Sequence, residues 1–190
     1  MVHPPAQTRT ALEEATHRFV EAWGNMASAW GISRTMAQVY ALLYASHEPL
    51  DTDHIMAELD ISRGNANINL RKLIEWELVR KVEVADPHTR KEHFVAEKDV
   101  WALTTRVIRE RSEKEIKPVA AYLTEVGAQL SERANGRLTP EEEEFKRNLE
   151  AMSSFLRLFN SLTERLLPLL ENRNQKQLET ILKLLPTGKS

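Results

Sequence analysis

The 190-residue sequence predicts a mainly α-helical fold with one small β-hairpin. Three patterns between Leu50 and Glu97 predict it: a short amphipathic helix, a second helix after a tight turn, and two stretches of period-two alternation joined by a basic loop. Helix, turn, helix and hairpin in this order are typical of a winged helix-turn-helix. We therefore expect this domain, flanked by N- and C-terminal dimerisation helices.

The first helix of the motif is a short support helix. Asp51 or Thr52 can cap its start, and Ile55 and Leu59 recur at helical spacing. Asp60 to Ser62 then interrupts the pattern, and the Ser62 hydroxyl is a good acceptor for an unpaired amide one turn further on. The second helix is therefore predicted to start at Arg63.

The second helix has one apolar face and one face without any acidic residue. Ala66, Leu70 and Leu73 share the apolar face, which should be buried. Asn can bond adenine, Arg can bond guanine, an exposed Ile can meet a thymine methyl, and Gly near a helix N-terminus lets a phosphate approach. The helix residues predicted to contact DNA are Ser62, Arg63, Gly64, Asn65, Asn67, Ile68, Arg71 and Lys72.

The predicted hairpin joins an alternating strand at Val79 to Val84 with a second strand at Glu92 to Val95. The loop between them is basic, and we expect His88, Arg90 and Lys91 to hold backbone phosphates or to enter the minor groove. A basic hairpin taken alone is more often an ordinary solvated loop. The prediction of a DNA-binding wing depends on the helices that precede it.

Charge is concentrated in this region. The whole chain has a formal net charge of −2 and a pI near 6.3, which argues against a nonspecific polycationic DNA binder. Between Ile61 and Lys91, however, basic residues outnumber acidic ones by seven to four. A near-neutral protein with one basic face can still bind DNA through local release of counterions.

Several short motifs together resemble the GbsR branch of the MarR-type winged-helix bacterial transcriptional regulators, over roughly Trp30 to Arg111. They are Gly31–Arg34, Tyr40–Leu43, Ile61–Asn65, Asn69–Arg71, Trp76–Val79, Arg90–Glu92 and Ala96–Glu97. The resemblance implies a homodimeric DNA-binding regulator, commonly a repressor, in a branch that includes regulators of choline and glycine betaine genes.

One position departs from the family pattern. Members of the branch often carry Gly after the Trp that matches Trp76, and this chain carries Glu77. Glycine there would suit a left-handed exit from the helix. Glu77 therefore either adopts the left-handed conformation at a cost of about 1 kcal/mol, or the chain leaves the helix differently.

The chain is expected to divide into an N-terminal helix at 1–32, a winged helix-turn-helix domain at 33–97 and a C-terminal helical region at 98–190. In the C-terminal region Asp99 can cap a long helix that Pro118 kinks or breaks and that ends near Gly136. Thr139 then starts a further helix with a capping box, which Pro168 stops or bends. A final short helix is predicted from Leu178 to Leu185.

An apolar seam in the helix after Thr139 has spacings of four and three residues, as in a coiled coil. It forms either an intramolecular bundle or a dimer interface. We favour the dimer, because a palindromic operator needs two recognition helices about 34 Å apart and one chain supplies one. The seam is Phe145, Leu149, Met152, Leu156 and Phe159, and the predicted interface residues are Leu12, Phe19, Leu149, Met152, Leu156 and Phe159.

The sequence predicts no catalytic residues, no metal and no cofactor. It has no phosphate loop, no nucleophile elbow and no His-Glu-x-x-His motif, and it has no cysteine for thiolate or redox chemistry. His88 and His93 lie near each other in sequence without further ligands beside them. No apolar run of membrane-spanning length and no leader is apparent, so we expect a cytoplasmic protein.

A small-molecule effector site is predicted near the junction of the winged helix and the dimerisation helices. Its candidate residues are Trp23, Trp30, Tyr40, Tyr44 and Trp101. The family resemblance implies a quaternary ammonium compound, which aromatic rings can hold by cation–π attraction. The alternative for each ring is packing in the hydrophobic core, which is the commoner role of an aromatic residue.

Taken together, these features predict a sequence-specific transcriptional regulator that binds double-stranded DNA as a homodimer, with an effector that modulates it. The alternative is a winged-helix module that binds another protein and does not read DNA sequence. Acidic residues on the recognition face would have favoured the alternative, and the sequence places none there.

Overall fold

The computed structural model describes residues 10–84, 91–134 and 136–171, in two compact units that divide between Lys98 and Asp99. Of the predicted features, His88, Arg90 and the final helix from Leu178 to Leu185 lie outside the described residues. The first unit contains α1 (Ala11–Ala29), α2 (Arg34–Ala45), β1 (Leu50–Asp51), α3 (Thr52–Leu59), α4 (Arg63–Glu75), β2 (Val79–Val82) and β3 (His93–Ala96). The second contains α5 (Val100–Arg111), a π-helical turn (Ser112–Ile116), α6 (Lys117–Arg133) and α7 (Pro140–Glu171).

Helix α2 forms the centre of the first unit. It packs against α1, α3, α4 and β3, and Val39, Tyr40 and Leu43 are buried on it. The antiparallel sheet has the order β1-β3-β2, with Leu50 opposite Phe94 and Val79 opposite Ala96. Two helices on a common support with a hairpin beside them are the predicted winged helix-turn-helix.

The predicted helix starts in this unit are confirmed. Of the two candidates before α3, Asp51 is the cap, since its carboxylate accepts from the His54 amide at 2.8 Å. The Ser62 hydroxyl accepts from the Asn65 amide at 3.3 Å and starts α4 at Arg63. Asp60 between them adopts a left-handed conformation, with φ of 50°, which ends α3 and turns the chain toward α4.

Glu77 adopts the left-handed conformation, which is the first of the two alternatives that the sequence left open for the end of α4. Its φ is 57°, in the left-handed region, although it is not glycine. The Glu77 amide donates to Ile74 O at 2.9 Å and the Leu78 amide to Leu73 O at 2.8 Å, the two bonds of a Schellman motif. Leu73 and Leu78, the two positions that usually make an apolar contact in this motif, are both buried.

The expected interruption near Pro118 takes the form of the π-helical turn, which ends two residues before it. Proline cannot donate the helical bond to the carbonyl four residues earlier, and a wider turn accommodates that loss. The next helix start is as predicted: the Thr139 hydroxyl accepts from the Glu142 amide at 3.3 Å, and the Glu142 carboxylate accepts from the Thr139 amide at 2.7 Å. Pro168 lies inside α7 and does not stop it, because the helix continues to Glu171.

Helix α7 packs against the rest of the second unit through a largely polar line. Ser153, Asn160 and Leu167 recur every seven residues and are buried. The Ser112 hydroxyl donates to Asn160 Oδ1 at 2.6 Å, and the Ser153 hydroxyl donates to Ala120 O at 2.9 Å. Small polar side chains with satisfied hydrogen bonds thus join α7 to its own chain, while much of its apolar stripe faces away.

Candidate nucleic-acid interface

The outer face of α4 carries the residues that the sequence singled out, and all eight of them are exposed. On the opposite face Ala66, Leu70 and Leu73 are fully or almost fully buried against the core. Ile68 is 50% exposed at the middle of the outer face, among amides and cations. The first unit therefore holds this helix from behind. The expectation of a face without acidic residues is wrong at the C-terminal end of the helix, because exposed Glu75 lies four residues after Arg71 and seven after Ile68, on the same face.

Asn69 is a residue of the site that the sequence reasoning missed. It is 5% exposed, and its amide nitrogen donates to the Asn65 backbone oxygen at 2.9 Å and to Asn65 Oδ1 at 2.6 Å. The hydrogen bond from Asn69 thus orients the exposed side chain of Asn65 through its oxygen. The available signal was the i, i+4 spacing of two amides on the border between the buried and exposed faces.

Lys91, which the sequence analysis predicted to contact DNA, lies two residues before β3. Its Nζ is 2.8 Å from Asp53 Oδ2 and 3.0 Å from Asp51 Oδ2. Arg63, the first residue of α4, forms an ion pair with the other oxygen of Asp53. Arg63 and Lys91, two cations predicted to contact DNA, are therefore paired with carboxylates at the N-terminus of α3. These carboxylates precede Ile61, so the excess of basic residues between Ile61 and Lys91 does not include them.

The protonation of these carboxylates follows from their surroundings. Burial raises the pKa of Asp51, but hydrogen bonds from the His54 amide, from Lys91 and from the His54 ring outweigh it and hold that pKa well below its usual range. Bonds from Lys91 and Arg63 lower the pKa of the more exposed Asp53, and bonds to Asp53 and Asp51 raise the pKa of Lys91. Both carboxylates are charged at neutral pH.

The described part of the hairpin has a second cation that is already engaged. Lys81 Nζ lies 2.5 Å from Oε1 of Glu92, and Glu92 is the residue just before β3. On α4, Arg71 Nε donates weakly to Asn67 O at 3.4 Å, and the Arg71 and Lys72 side chains are exposed. Within the described residues, the C-terminal half of α4 is therefore the part of the predicted interface where exposed cations are not paired with Asp51 or Asp53.

The aromatic candidates for an effector site divide into three groups. Trp23, Tyr40 and Tyr44 form one row with Phe19, with centroid distances of 5.8 to 6.5 Å. Trp30 is the C-cap of α1 and is 67% exposed, and Trp101 belongs to the second unit. The structure thus brings three of the five residues together.

Two members of that row have structural partners. Tyr40 is buried and its hydroxyl donates to Glu97 O at 2.7 Å, which fits the core-packing alternative for this residue. Lys98 Nζ lies 5.2 Å from the centroid of Tyr44 and donates to Leu43 O at 3.1 Å and Ser46 O at 2.9 Å. Burial lowers the pKa of Lys98. The chain's own ammonium therefore occupies one face of the Tyr44 ring.

The residues predicted for a dimer interface lie on more than one surface. Met152 and Phe159 are exposed on the outer face of α7, whereas Leu149 and Leu156 are half-buried beside the polar line that packs inward. Leu12 is exposed on α1, and Phe19 is half-buried in the aromatic row. The predicted seam thus combined two neighbouring faces of one helix.

The described residues contain no cluster of three metal-ligating side chains. None of their helices combines the length and the apolar character that crossing a bilayer requires.

The fold and this surface define a winged helix-turn-helix protein whose second helix exposes a face of mainly amides and cations. No family model matches the chain. It is 26% identical over 120 residues to the HTH-type transcriptional repressor GbsR of Bacillus subtilis (strain 168); the match covers 63% of this chain and 65% of the length of that relative. The predicted resemblance to GbsR-like regulators is thereby confirmed.

A solved structure described as a transcriptional regulator supports the same fold. It superposes with a TM-score of 0.58 at 18% identity, and the match covers 84% of this chain and 99% of that chain. The predicted fold class, mainly α-helical with a small antiparallel sheet, is confirmed by this similarity and by the observed elements.

Proposed function

We propose that this chain is a sequence-specific DNA-binding transcriptional regulator that acts as a homodimeric repressor. The observation that carries the proposal is α4, which is fixed to the core by Ala66, Leu70 and Leu73. Its opposite face exposes amides, cations and one isoleucine, with a single acid, Glu75, at the C-terminal end. The similarity to a curated repressor supports the same conclusion. A regulator of this kind works where the chromosome lies, in the bacterial cytoplasm.

In the proposed complex α4 enters the major groove with its N-terminal half toward the bases. Asn65 and Asn67 offer amide groups to adenine edges, Arg71 offers a fork to guanine, and Ile68 is exposed enough to meet a thymine methyl. Ser62 and Gly64 at the helix start allow a close phosphate, and Lys72 supplies a further backbone contact. The hairpin residues His88, Arg90 and Lys91 are proposed to contact the flanking backbone or the minor groove.

Dimerisation is proposed through the outer face of α7. Its exposed apolar residues recur at the three- and four-residue spacings of a helical seam, and isolated soluble proteins rarely expose one this long. The exposed set is Phe145, Met152, Phe155, Leu158, Phe159, Leu162 and Leu166. A second copy of the chain would cover these side chains and would place two α4 helices on one palindromic operator.

Repression would follow if the bound dimer excludes polymerase or an activator from the promoter. An effector that changes the spacing of the two α4 helices would modulate binding. For its site we retain the row of Trp23, Tyr40 and Tyr44, where a cationic effector would have to compete with Lys98 for the ring of Tyr44. The compound itself, a quaternary ammonium by family resemblance, is part of the proposal.

The test is the binding of purified protein to a duplex from upstream of its own gene and to a scrambled duplex of equal length, over a series of salt concentrations. The proposal predicts preference for the upstream duplex, two chains per site by mass, and affinity that falls steeply with salt as counterions are released. Equal weak binding to both duplexes, or none, contradicts sequence-specific regulation. If the chain instead binds a partner protein with an affinity that changes little with salt, the alternative of a winged-helix protein-interaction module is favoured.

A further inference from the structure

Asp53 lies between the two DNA-facing elements of the first unit, at the second position of α3. One carboxylate oxygen pairs with Arg63 at the start of α4, and the other lies 2.8 Å from Lys91 Nζ just before β3. With Asp51, which also holds Lys91 and accepts a contact from the His54 ring at 2.8 Å, the group contains two carboxylates, two cations and one imidazole. The two carboxylates thus offset the charges of Arg63 and Lys91, one at the start of α4 and the other before β3.

The two acids have different surroundings. Asp51 is 5% exposed, caps α3 and holds Lys91 from inside, so its role is structural. The Asp53 side chain is 42% exposed, and those of its partners Arg63 and Lys91 are 61% and 54% exposed. An exposed ion pair of this kind holds weakly and exchanges readily. The Asp53 carboxylate therefore occupies positions on Arg63 and Lys91 that a DNA phosphate could take.

We propose that Asp53 is a specificity-determining counter-charge that competes with DNA phosphates for Arg63 and Lys91. On a duplex that seats α4 correctly, two phosphates replace the carboxylate, so each cation exchanges one anion for another. On a duplex whose major groove does not accept α4 correctly, Asp53 stays paired with both cations, and its carboxylate repels the DNA backbone. This inference rests on the proposed function and adds a mechanism for rejecting nonspecific DNA.

The first test compares wild type with Asp53→Asn on a random-sequence duplex of about 30 base pairs, titrated over a range of salt concentrations. The variant keeps the size of the side chain and removes its charge. We expect nonspecific binding to tighten by about threefold to tenfold at low salt. The slope of log affinity against log salt should steepen by about 0.9 for each phosphate newly engaged.

A matched control separates this effect from a change in net charge. Glu58→Gln removes the same charge from the same helix at an exposed position five residues further on. It should alter nonspecific affinity by less than about twofold. Asp53→Glu, which keeps the charge, should remain close to wild type. Thermal unfolding of each variant shows that the fold is retained.

A double-mutant cycle identifies the route of the effect. If Asp53 acts by occupying Arg63 and Lys91, the gain from Asp53→Asn should shrink when Arg63 is already replaced by Ala. A purely structural role would leave the gain unchanged in that background, or would turn it into a loss.

The outcomes are distinct. Weaker or unchanged nonspecific binding by Asp53→Asn, while wild type binds DNA, overturns the inference and leaves the proposed function standing. An equal gain from Glu58→Gln also overturns it. If wild type and variant bind no duplex at all, the proposed function fails and the inference fails with it.

Discussion

Glu77 is a non-glycine residue in a left-handed conformation, and its replacement by glycine is expected to stabilise the protein. Its φ of 57° places Cβ close to the carbonyl oxygen that follows, at a cost of roughly 1–2 kcal/mol for an L-residue with a side chain. Glycine removes that cost but loses about 0.5–1 kcal/mol of additional chain entropy on folding. The expected net gain from Glu77→Gly is therefore about 1 kcal/mol.

The comparison that isolates the backbone effect is Glu77→Gly against Glu77→Ala. Both variants lack the carboxylate and any contact that it makes, so they differ in the strain of one Cβ. We expect the glycine variant to exceed the alanine variant by about 1 kcal/mol in urea unfolding followed by circular dichroism, or by about 2–4 °C in Tm for a chain of this length. At Glu58, inside α3, the order should reverse, since glycine is the poorer helix former by about 1 kcal/mol.

The Schellman bonds of this exit do not depend on the Glu77 side chain, so the geometry should survive the change. DNA affinity of Glu77→Gly is accordingly expected to stay within about twofold of wild type. If the alanine variant proves as stable as the glycine variant, the residue is not strained, and our account of how the chain leaves α4 is wrong.

Three further predictions concern charge, DNA contact and assembly. Because folding lowers the pKa of Asp51, this carboxylate stabilises the protein above its unfolded pKa of about 3.9, and the stabilisation is lost as the pH falls below that value. Asp51→Asn should therefore reduce the difference in unfolding free energy between pH 7 and pH 3, measured by urea titration. An unchanged difference would contradict this prediction. Arg71→Ala should reduce discrimination between upstream and scrambled duplexes, whereas Lys72→Ala should weaken binding to both alike, as measured by fluorescence anisotropy; identical profiles for the two variants would refute the assignment of base and phosphate contacts. Phe155→Asp, at a side chain that is 62% exposed, should shift the protein from dimer to monomer in sedimentation analysis without loss of helicity, and a dimer that persists would remove this face of α7 from the interface.

The sequence was sufficient for the order of the elements, because strong local signals lie at their ends. Ser62 and Thr139 act through bonds within a few residues, and the periodic apolar positions fix which face of α4 is buried. These interactions need no knowledge of the rest of the fold, so the winged helix-turn-helix could be predicted.

The pairing of Lys91 could not be predicted in the same way. Its partner Asp51 is 40 residues away in sequence, and the two meet only because β1 and β3 are neighbours in the sheet. The composition of one sequence segment gives its local charge, but it does not show which residues form ion pairs with distant parts of the chain. For Lys91 to bind a phosphate as predicted, the phosphate would have to compete with Asp51 and Asp53.

The predicted seam of α7 combined residues from two neighbouring faces of the helix, and this too has a physical reason. A helix that packs against its own chain through buried serine and asparagine has no apolar marker for that side, so hydrophobic periodicity does not show which face of α7 turns inward. Ser153 and Asn160, which are seven residues apart, were the signal, and only their partners Ala120 and Ser112 reveal it.

The central claim, that two α4 helices of a dimer read DNA, is tested most directly by a footprint of the wild-type protein on DNA from upstream of its own gene. The account predicts two protected half-sites centred about 10 base pairs apart, or a multiple of that spacing, with protection of the same half-sites weakened in Arg71→Ala. Protection that spreads evenly along the fragment, or that is identical in the Arg71 variant, would contradict sequence reading by this helix.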